Sequence, residues 1–290
     1  MQQYKFCVIY ANCQGEYLKK ILSKSKIFTR IYTQIEHFEN YKFINDKQIE
    51  YLKIYFSNDI CNIILDYKYQ PIPSYVCNAD LFIYQPVNSY HNELSTTHII
   101  NNILKKECKV ISFPYIYNNA IWIYDKKGNF DKIFKNLFLN FSLEETLAKF
   151  KNLEIDFNFK ERFENTMNIL KTKEEITDIK VHQYILDNFK KKKLFISEPH
   201  PTIHIYYHCT IELFKLLNLN NDISFELAFT VLTLVRAQKL HTGLIEKIPK
   251  TPYDINFYKF EWKKEPDDNW LTFYSNIIKK IYLETLSMNN

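Results

Sequence analysis

Apolar positions in the first part of the chain come in short runs that stop at polar turns. Residues 5–10 predict a buried strand. A helix follows at once from Glu16 to Leu22, with Tyr17, Leu18, Ile21 and Leu22 on one face. A second strand is expected near Phe28–Tyr32, whereas residues 40–70 alternate over spans too short to assign. Leu81 to Tyr84 form another apolar strand, ending at Gln85-Pro86, and helical periodicity returns over Thr96–Leu104. "CKVISFPYIY" (108–117) repeats the scheme, a strand stopped by Pro114. Short strands separated by helices predict an α/β fold: a small parallel sheet with crossover helices and a flavodoxin-like core. Ligands of such sheets sit beyond the carboxyl ends of the strands. Ala11–Gly15, Gln85–Asn88 and Phe113–Tyr115 should therefore gather on one edge.

From Ser142 onward the pattern is mostly helical, over Leu143–Lys151, Phe157–Leu170 and Glu174–Phe189. Residues 194–217 return to a strand, a turn and a long amphipathic helix. Pro201 suits the first position of that helix, which makes His200 its expected N-cap. Asp222 is expected to cap the next helix, Ile223–Val235, and a last helix lies near Tyr274–Leu286. No repeat, low-complexity tract or linker interrupts the chain. The expectation is one composite domain over 1–290. Its α/β core takes in about 1–125 and 194–217, with helical additions at about 142–193 and 218–290.

Composition changes this picture little. Among 290 residues, 46% are apolar and 24% charged, as in ordinary globular proteins. The many Tyr, Phe, Ile, Lys and Asn residues look like a coding bias, so single surface Tyr or Lys residues carry little weight. A net charge of +5 is too dilute for a nucleic-acid binder. The one basic run, Lys190–Lys193, reads either as a solvated helix end or as a phosphate contact. Six cysteines occur without a CxxC pair. There is no signal-peptide pattern and no apolar stretch of spanning length, so a reducing cytoplasm is expected.

Glycine is scarce, and that has consequences. With glycines only at 15, 128 and 243, neither GxGxxG nor a P-loop can be written, and GxSxG is absent too. Yet one of the three closes the turn Asn12-Cys13-Gln14-Gly15 after the first strand. A cysteine at a helix N-terminus tends toward thiolate. Asn12 and Gln14 bring amide donors for an oxyanion, and Gly15 permits close approach of a ligand or another backbone. Together they fit a nucleophile or thioester-binding spot; the plainer reading is a packed Cys and a Gly that eases the turn.

"SEPHPT" (197–202) is the second candidate. Two prolines fix the backbone around His200, as a general base requires, with Glu198 in reach to orient it. A histidine that only caps a helix is the alternative. His200, His204 and His208 also fall four apart, but no Glu lies between them as in helical zinc proteases, and no metal is expected.

"ANCQG", "ADLFIYQPV", "SFPYIY" and "LFISEPHPT", in this order, resemble the WcbI family, associated with acetyl transfer in capsular polysaccharide biosynthesis. The resemblance spans roughly residues 5–217. It departs at Ala11, where the family has Gly, and at Pro199, where it tends to have Asn. It implies an SGNH-like core with coenzyme A or acetyl-CoA bound near the Asn-Cys-Gln turn. Cys13, His200, Asn12 and Gln14 would be catalytic, and Gly15, Tyr84, Gln85 and Lys193 would contact the coenzyme. A sugar or glycan would be the acceptor, with peripheral contact to capsule-assembly machinery open. An SGNH-like esterase or deacetylase using Cys13, or a non-catalytic protein binding coenzyme A or glycan, are the alternative readings. Asp80 and Glu198 both stand as carboxylates that could support His200.

Overall fold

The computed structural model describes residues 5–40, 72–124, 128–241 and 248–288. Four parallel strands build its main sheet: β1 (Lys5–Ala11), β2 (Tyr32–Glu39), β3 (Leu81–Tyr84) and β4 (Lys109–Ser112), in the order β2-β1-β3-β4. Cys7, Val8, Ile9 and Ala11 on β1 are fully buried, as expected of a central strand covered on both faces. Tyr10 lies opposite Tyr84, and Tyr84 opposite Ser112, so β1, β3 and β4 end in step. This register brings the loops after the three strands to a common edge.

The chain forms two compact units. The first comprises residues 1–115, 173–181 and 206–236, and the second 116–172, 182–205 and 237–290. The sheet belongs to the first, with helices α1 (Cys13–Leu22), α2 (Lys26–Ile31) and α3 (Thr96–His98), the last continuing as a π turn over Ile99–Ile103. The second unit is mostly helical: α4 (Asn129–Leu137), α5 (Leu143–Lys151), most of α6 (Phe159–Glu174), α7 (His182–Asn188), α10 (Pro252–Tyr258) and α11 (Trp270–Met288). Between these in sequence come α8 (Ile203–Leu216) and α9 (Phe225–His241). Aromatic rings make the core of the second unit, with Phe130, Phe134, Phe150, Phe157 and Tyr274 all buried. Phe130 stacks on Phe157 at 5.9 Å and Phe134 meets Phe150 edge-on at 5.9 Å. The aromatic-rich composition thus has a structural destination.

Four local expectations are corrected. The strand expected near Phe28–Tyr32 is helix α2, and β2 begins only at Tyr32. Ser25 caps that helix, its hydroxyl accepting from the Phe28 N–H at 2.8 Å, while Phe28 itself is buried. Asp222 does not cap the helix that follows it. Its carboxylate accepts from the Ser25 hydroxyl and from the Ile27 N–H at 3.0 Å, so it caps α2 from 195 residues away. Ser224 takes the cap of α9, accepting from the Leu227 N–H at 3.2 Å.

Glu174–Phe189 is not one helix. The break after Glu174 is closed by Lys180, whose ammonium donates to the Glu174 and Thr177 carbonyls, and by Glu174, whose carboxylate accepts from the Val181 N–H at 2.5 Å. Lastly, His200 is not an N-cap. It pairs with Ser197 in a small hairpin of β5 (Phe195–Ser197) and β6 (His200–Pro201), and α8 starts at Ile203. Prolines at 199 and 201 hold their predecessors extended, which favours that pairing.

Burial pushes the Asp222 carboxyl up, but hydrogen bonds from Ser25, Ile27 and Lys26 outweigh it and hold its pKa below the ordinary value. Asp222→Ala should cost about 1–2 kcal/mol through loss of the long-range cap. The urea midpoint measures it, and a change no larger than that of a neutral surface substitution would contradict the role.

Candidate active site at the sheet edge

The end of β1 runs directly into α1 with Asn12 between them. Asn12 is the N-cap, its Oδ1 accepting from the Gln14 N–H at 2.9 Å. The Gly15 N–H donates to the Asn12 carbonyl at 2.9 Å. The backbone N–H groups of Gln14 and Gly15 are therefore both committed to closing the helix. With Oδ1 held by the cap, the Asn12 amide nitrogen is the side-chain donor that the cap does not use. Cys13, at the first position of α1, is half-buried and forms no disulfide.

Gln85 ties this turn to the rest of the edge. The residue is buried, and its backbone N–H continues the β3 pairing by donating to the Tyr10 carbonyl at 2.9 Å. Its Oε1 accepts from the Asn12 N–H at 3.0 Å, and its Nε2 donates to Gln14 Oε1 at 2.9 Å and to the Pro114 carbonyl at 3.3 Å. One amide thus joins the three segments that the strand pattern sends to this edge. Gln14 is itself fully buried, so its side chain sits within the fold beneath the turn.

Gly15 has a local reason to lack a side chain. A Cβ there would stand 2.6 Å from two His37 ring atoms and 2.9 Å from the Ala11 methyl. The imidazole fills that space and donates through Nε2 to the Ala11 and Asn12 carbonyls, at 3.2 and 3.0 Å. Burial lowers the His37 pKa, and these two hydrogen bonds recover only part of the shift, so the ring is held neutral. Nothing in the sequence pattern distinguishes His37; only the tight turn around a rare glycine hints that something must fill the gap.

Beyond Gln85, a cleft of about 490 Å³ opens in the first unit. Pro86, Val87 and Asn88 after β3 and Pro114 and Tyr115 after β4 form its walls with Thr96, Thr97, Lys173, Ile176 and Thr177. The Lys173 ammonium lies 5.2 Å from the centre of the Tyr115 ring. Segment 173–181 is pinned to β4 through Asp178, whose carboxylate accepts from the Ser112 N–H and hydroxyl, both at 2.7 Å. Tyr84 joins that network through its hydroxyl; burial raises its pKa, and the Ser112 hydrogen bond opposes the rise.

His200 and Lys193 belong to the second unit. His200 Nδ1 lies 2.5 Å from Ser197 Oγ, a partner the sequence reading passed over in favour of carboxylates. Asp80 is occupied elsewhere, accepting from the Phe6 N–H at 2.7 Å and pairing with Lys105 at 2.6 Å. Lys193 is exposed, and its ammonium lies 6.0 Å from the Trp262 ring. No group of histidine, cysteine and acidic residues arranged to hold a metal occurs among the described residues, and no described helix is long and apolar enough to cross a membrane.

A family model described as the polysaccharide biosynthesis enzyme WcbI matches residues 65–222, just over half the chain. A solved structure of WcbI, described as a novel polysaccharide biosynthesis enzyme in its native form without a disulfide bond between coenzyme A and a cysteine, shares the fold. It superposes with a TM-score of 0.61 at 16% identity, over 98% of this chain and 96% of that one. No curated protein matches by sequence.

Gln85→Ala should lower stability by about 2–4 kcal/mol, since a buried group that loses its partner costs about 1–3 kcal/mol. Denaturant titration measures this, and a loss below about 1 kcal/mol would contradict the bridging role. His37 predicts a pH response. With its folded pKa below the ordinary 6.5, its contribution is fully present above that value and is lost as pH falls toward the folded pKa. Wild-type stability should therefore decline on acidification below about 6.5 more steeply than that of His37→Gln. Parallel pH profiles would refute a ring held neutral.

Proposed function

Because the chain belongs to the WcbI family of polysaccharide biosynthesis enzymes, we propose that it transfers an acyl group from coenzyme A to a glycan hydroxyl, using Cys13 and His200. The observation that carries this reading is the braced turn. It sets a thiol at a helix N-terminus, next to an amide nitrogen whose partner oxygen is already taken. The structural neighbour's description names coenzyme A together with a cysteine, in a form without a disulfide bond between them, and this supports the same reading.

In this reading the cleft beyond Gln85 receives the pantetheine arm, with Lys173 offering a charge to the coenzyme's phosphates. His200 acts as the base. With Nδ1–H donated to Ser197 Oγ, its Nε2 lone pair is the proton acceptor. The orienting group is a neutral hydroxyl, so it fixes the ring without the added basicity of a carboxylate.

On the covalent route, His200 takes the Cys13 proton and the sulfur attacks the acetyl-CoA carbonyl. Collapse of the tetrahedral intermediate then expels coenzyme A as thiolate, which recovers the proton. The glycan hydroxyl next attacks the acyl-Cys13 thioester, losing its proton to His200, and Cys13 is expelled as thiolate and takes that proton back. On the direct route, His200 deprotonates the hydroxyl, that oxygen adds to the acetyl-CoA carbonyl, and coenzyme A leaves as thiolate and takes the proton back from His200. Both place the oxyanion against the Asn12 amide nitrogen.

Coenzyme A at about 100 times its Kd should stabilise the protein by about 2.7 kcal/mol. No shift of the melting temperature would favour a hydrolase and end the coenzyme reading. Asn12→Asp keeps an oxygen for the cap but loses the nitrogen, and should lower kcat by about 100-fold or more with the fold intact. His200→Ala should lose acetyl transfer on either route. Cys13→Ala retaining most of it would leave only the direct displacement.

A further inference from the structure

The second unit carries a cleft of its own, about 630 Å³ in volume, between α4 and α6. Six of its thirteen lining residues are asparagines: 119, 129, 136, 158, 165 and 168. Asparagine makes up 28 of the chain's 290 residues, so compositional bias does not account for the concentration. The helices explain how it arises. On α4, Phe130 and Phe134 are fully buried, and Asn129, Lys132, Ile133 and Asn136 fall on an adjoining stripe at helical spacing. On α6, Glu161, Asn165 and Asn168 form the corresponding stripe, preceded by Asn158.

The floor is rigid. Arg162 is buried, and its guanidinium donates to the backbone carbonyls of Asn119, Trp122, Ile123 and Phe157. Thr166 donates to Asn119 Oδ1. The walls differ: no hydrogen bond among the described residues engages the side-chain amides of Asn136, Asn158, Asn165 or Asn168. A rigid base thus presents a row of neutral groups, each carrying two donors and an acceptor.

The lining chooses the ligand class. A phosphorylated or acidic ligand needs cations that can reach it, yet Arg162 is buried with both terminal nitrogens on carbonyls, and Lys132 shares the lining with the acidic Glu161. An apolar ligand needs apolar walls, and Ile133, Ile169 and the edge of buried Phe157 are all that is offered. Hydroxyl groups, which donate and accept at once, match side-chain amides. We propose that this cleft binds a neutral oligosaccharide, giving the second unit a glycan site independent of the chemistry at Cys13.

Saturation-transfer NMR without coenzyme A tests it on the full chain, using a panel of neutral trisaccharides built from glucose, galactose, mannose and N-acetylglucosamine. At least one should bind with millimolar affinity. Asn165→Ala with Asn168→Ala should weaken it about tenfold or more, without lowering the melting temperature, because alanine favours an exposed helix. Absence of binding across the panel, or binding that survives the double substitution, would overturn the proposal. Neither result depends on whether coenzyme A binds or Cys13 reacts.

Discussion

The sheet edge depends on a single buried amide. Gln85 joins three segments of chain, its own included, using its oxygen on the Asn12 N–H and its nitrogen on Gln14 and Pro114. Only a side chain with both a donor and an acceptor can do this. A glutamate there would set a second oxygen against carbonyl oxygens, and an apolar residue would strand the Asn12 N–H and the Gln14 carbonyl. The partners share β1, β3 and β4 through parallel pairing, so the sheet's register is what delivers them to the amide. Consequently the position of Cys13 is an outcome of sheet assembly, even though its own helix begins one residue away.

The Asn12–Gly15 turn is also packed from the other side. His37 fills the volume that a side chain at position 15 would need and donates to the carbonyls of Ala11 and Asn12, where the strand enters the turn. Half-buried and neutral, it satisfies backbone acceptors without adding charge to the turn. The His37 ring is thus a reason for the scarce glycine beside those open in the sequence, which were approach of a ligand or another backbone and an easier turn. The division of labour is clear in physical terms. Gln85, His37 and the Asn12 cap hold the turn, with Gln14 buried and Cys13 half-buried at the start of α1.

Features set by local pattern were legible in the sequence. The apolar runs at 5–10 and 81–84 and the Pro-terminated run near 108–112 became β1, β3 and β4, and Leu143–Lys151 became α5. Their common edge followed from parallel pairing alone. What escaped was non-local. Ser25 and Asp222, 197 residues apart, decide that 26–31 is a helix, and no window of sequence contains both. His200 satisfied the rules for an N-cap and for an extended residue before proline, and pairing with Ser197 settled between them. Carboxylates drew attention as partners for His200 because they are strong; the nearer Ser197 hydroxyl won by geometry.

The claim on which this account rests is that the turn at Cys13 is locked before any ligand arrives. Hydrogen exchange of the Asn12 and Gln14 backbone amides, resolved by NMR in the ligand-free protein, tests it most directly. If Gln85 and the Asn12 side chain hold these two N–H groups, both should exchange as slowly as the central amides of β1. Exchange as fast as that of an exposed loop would show an open turn, and the braced site would be contradicted.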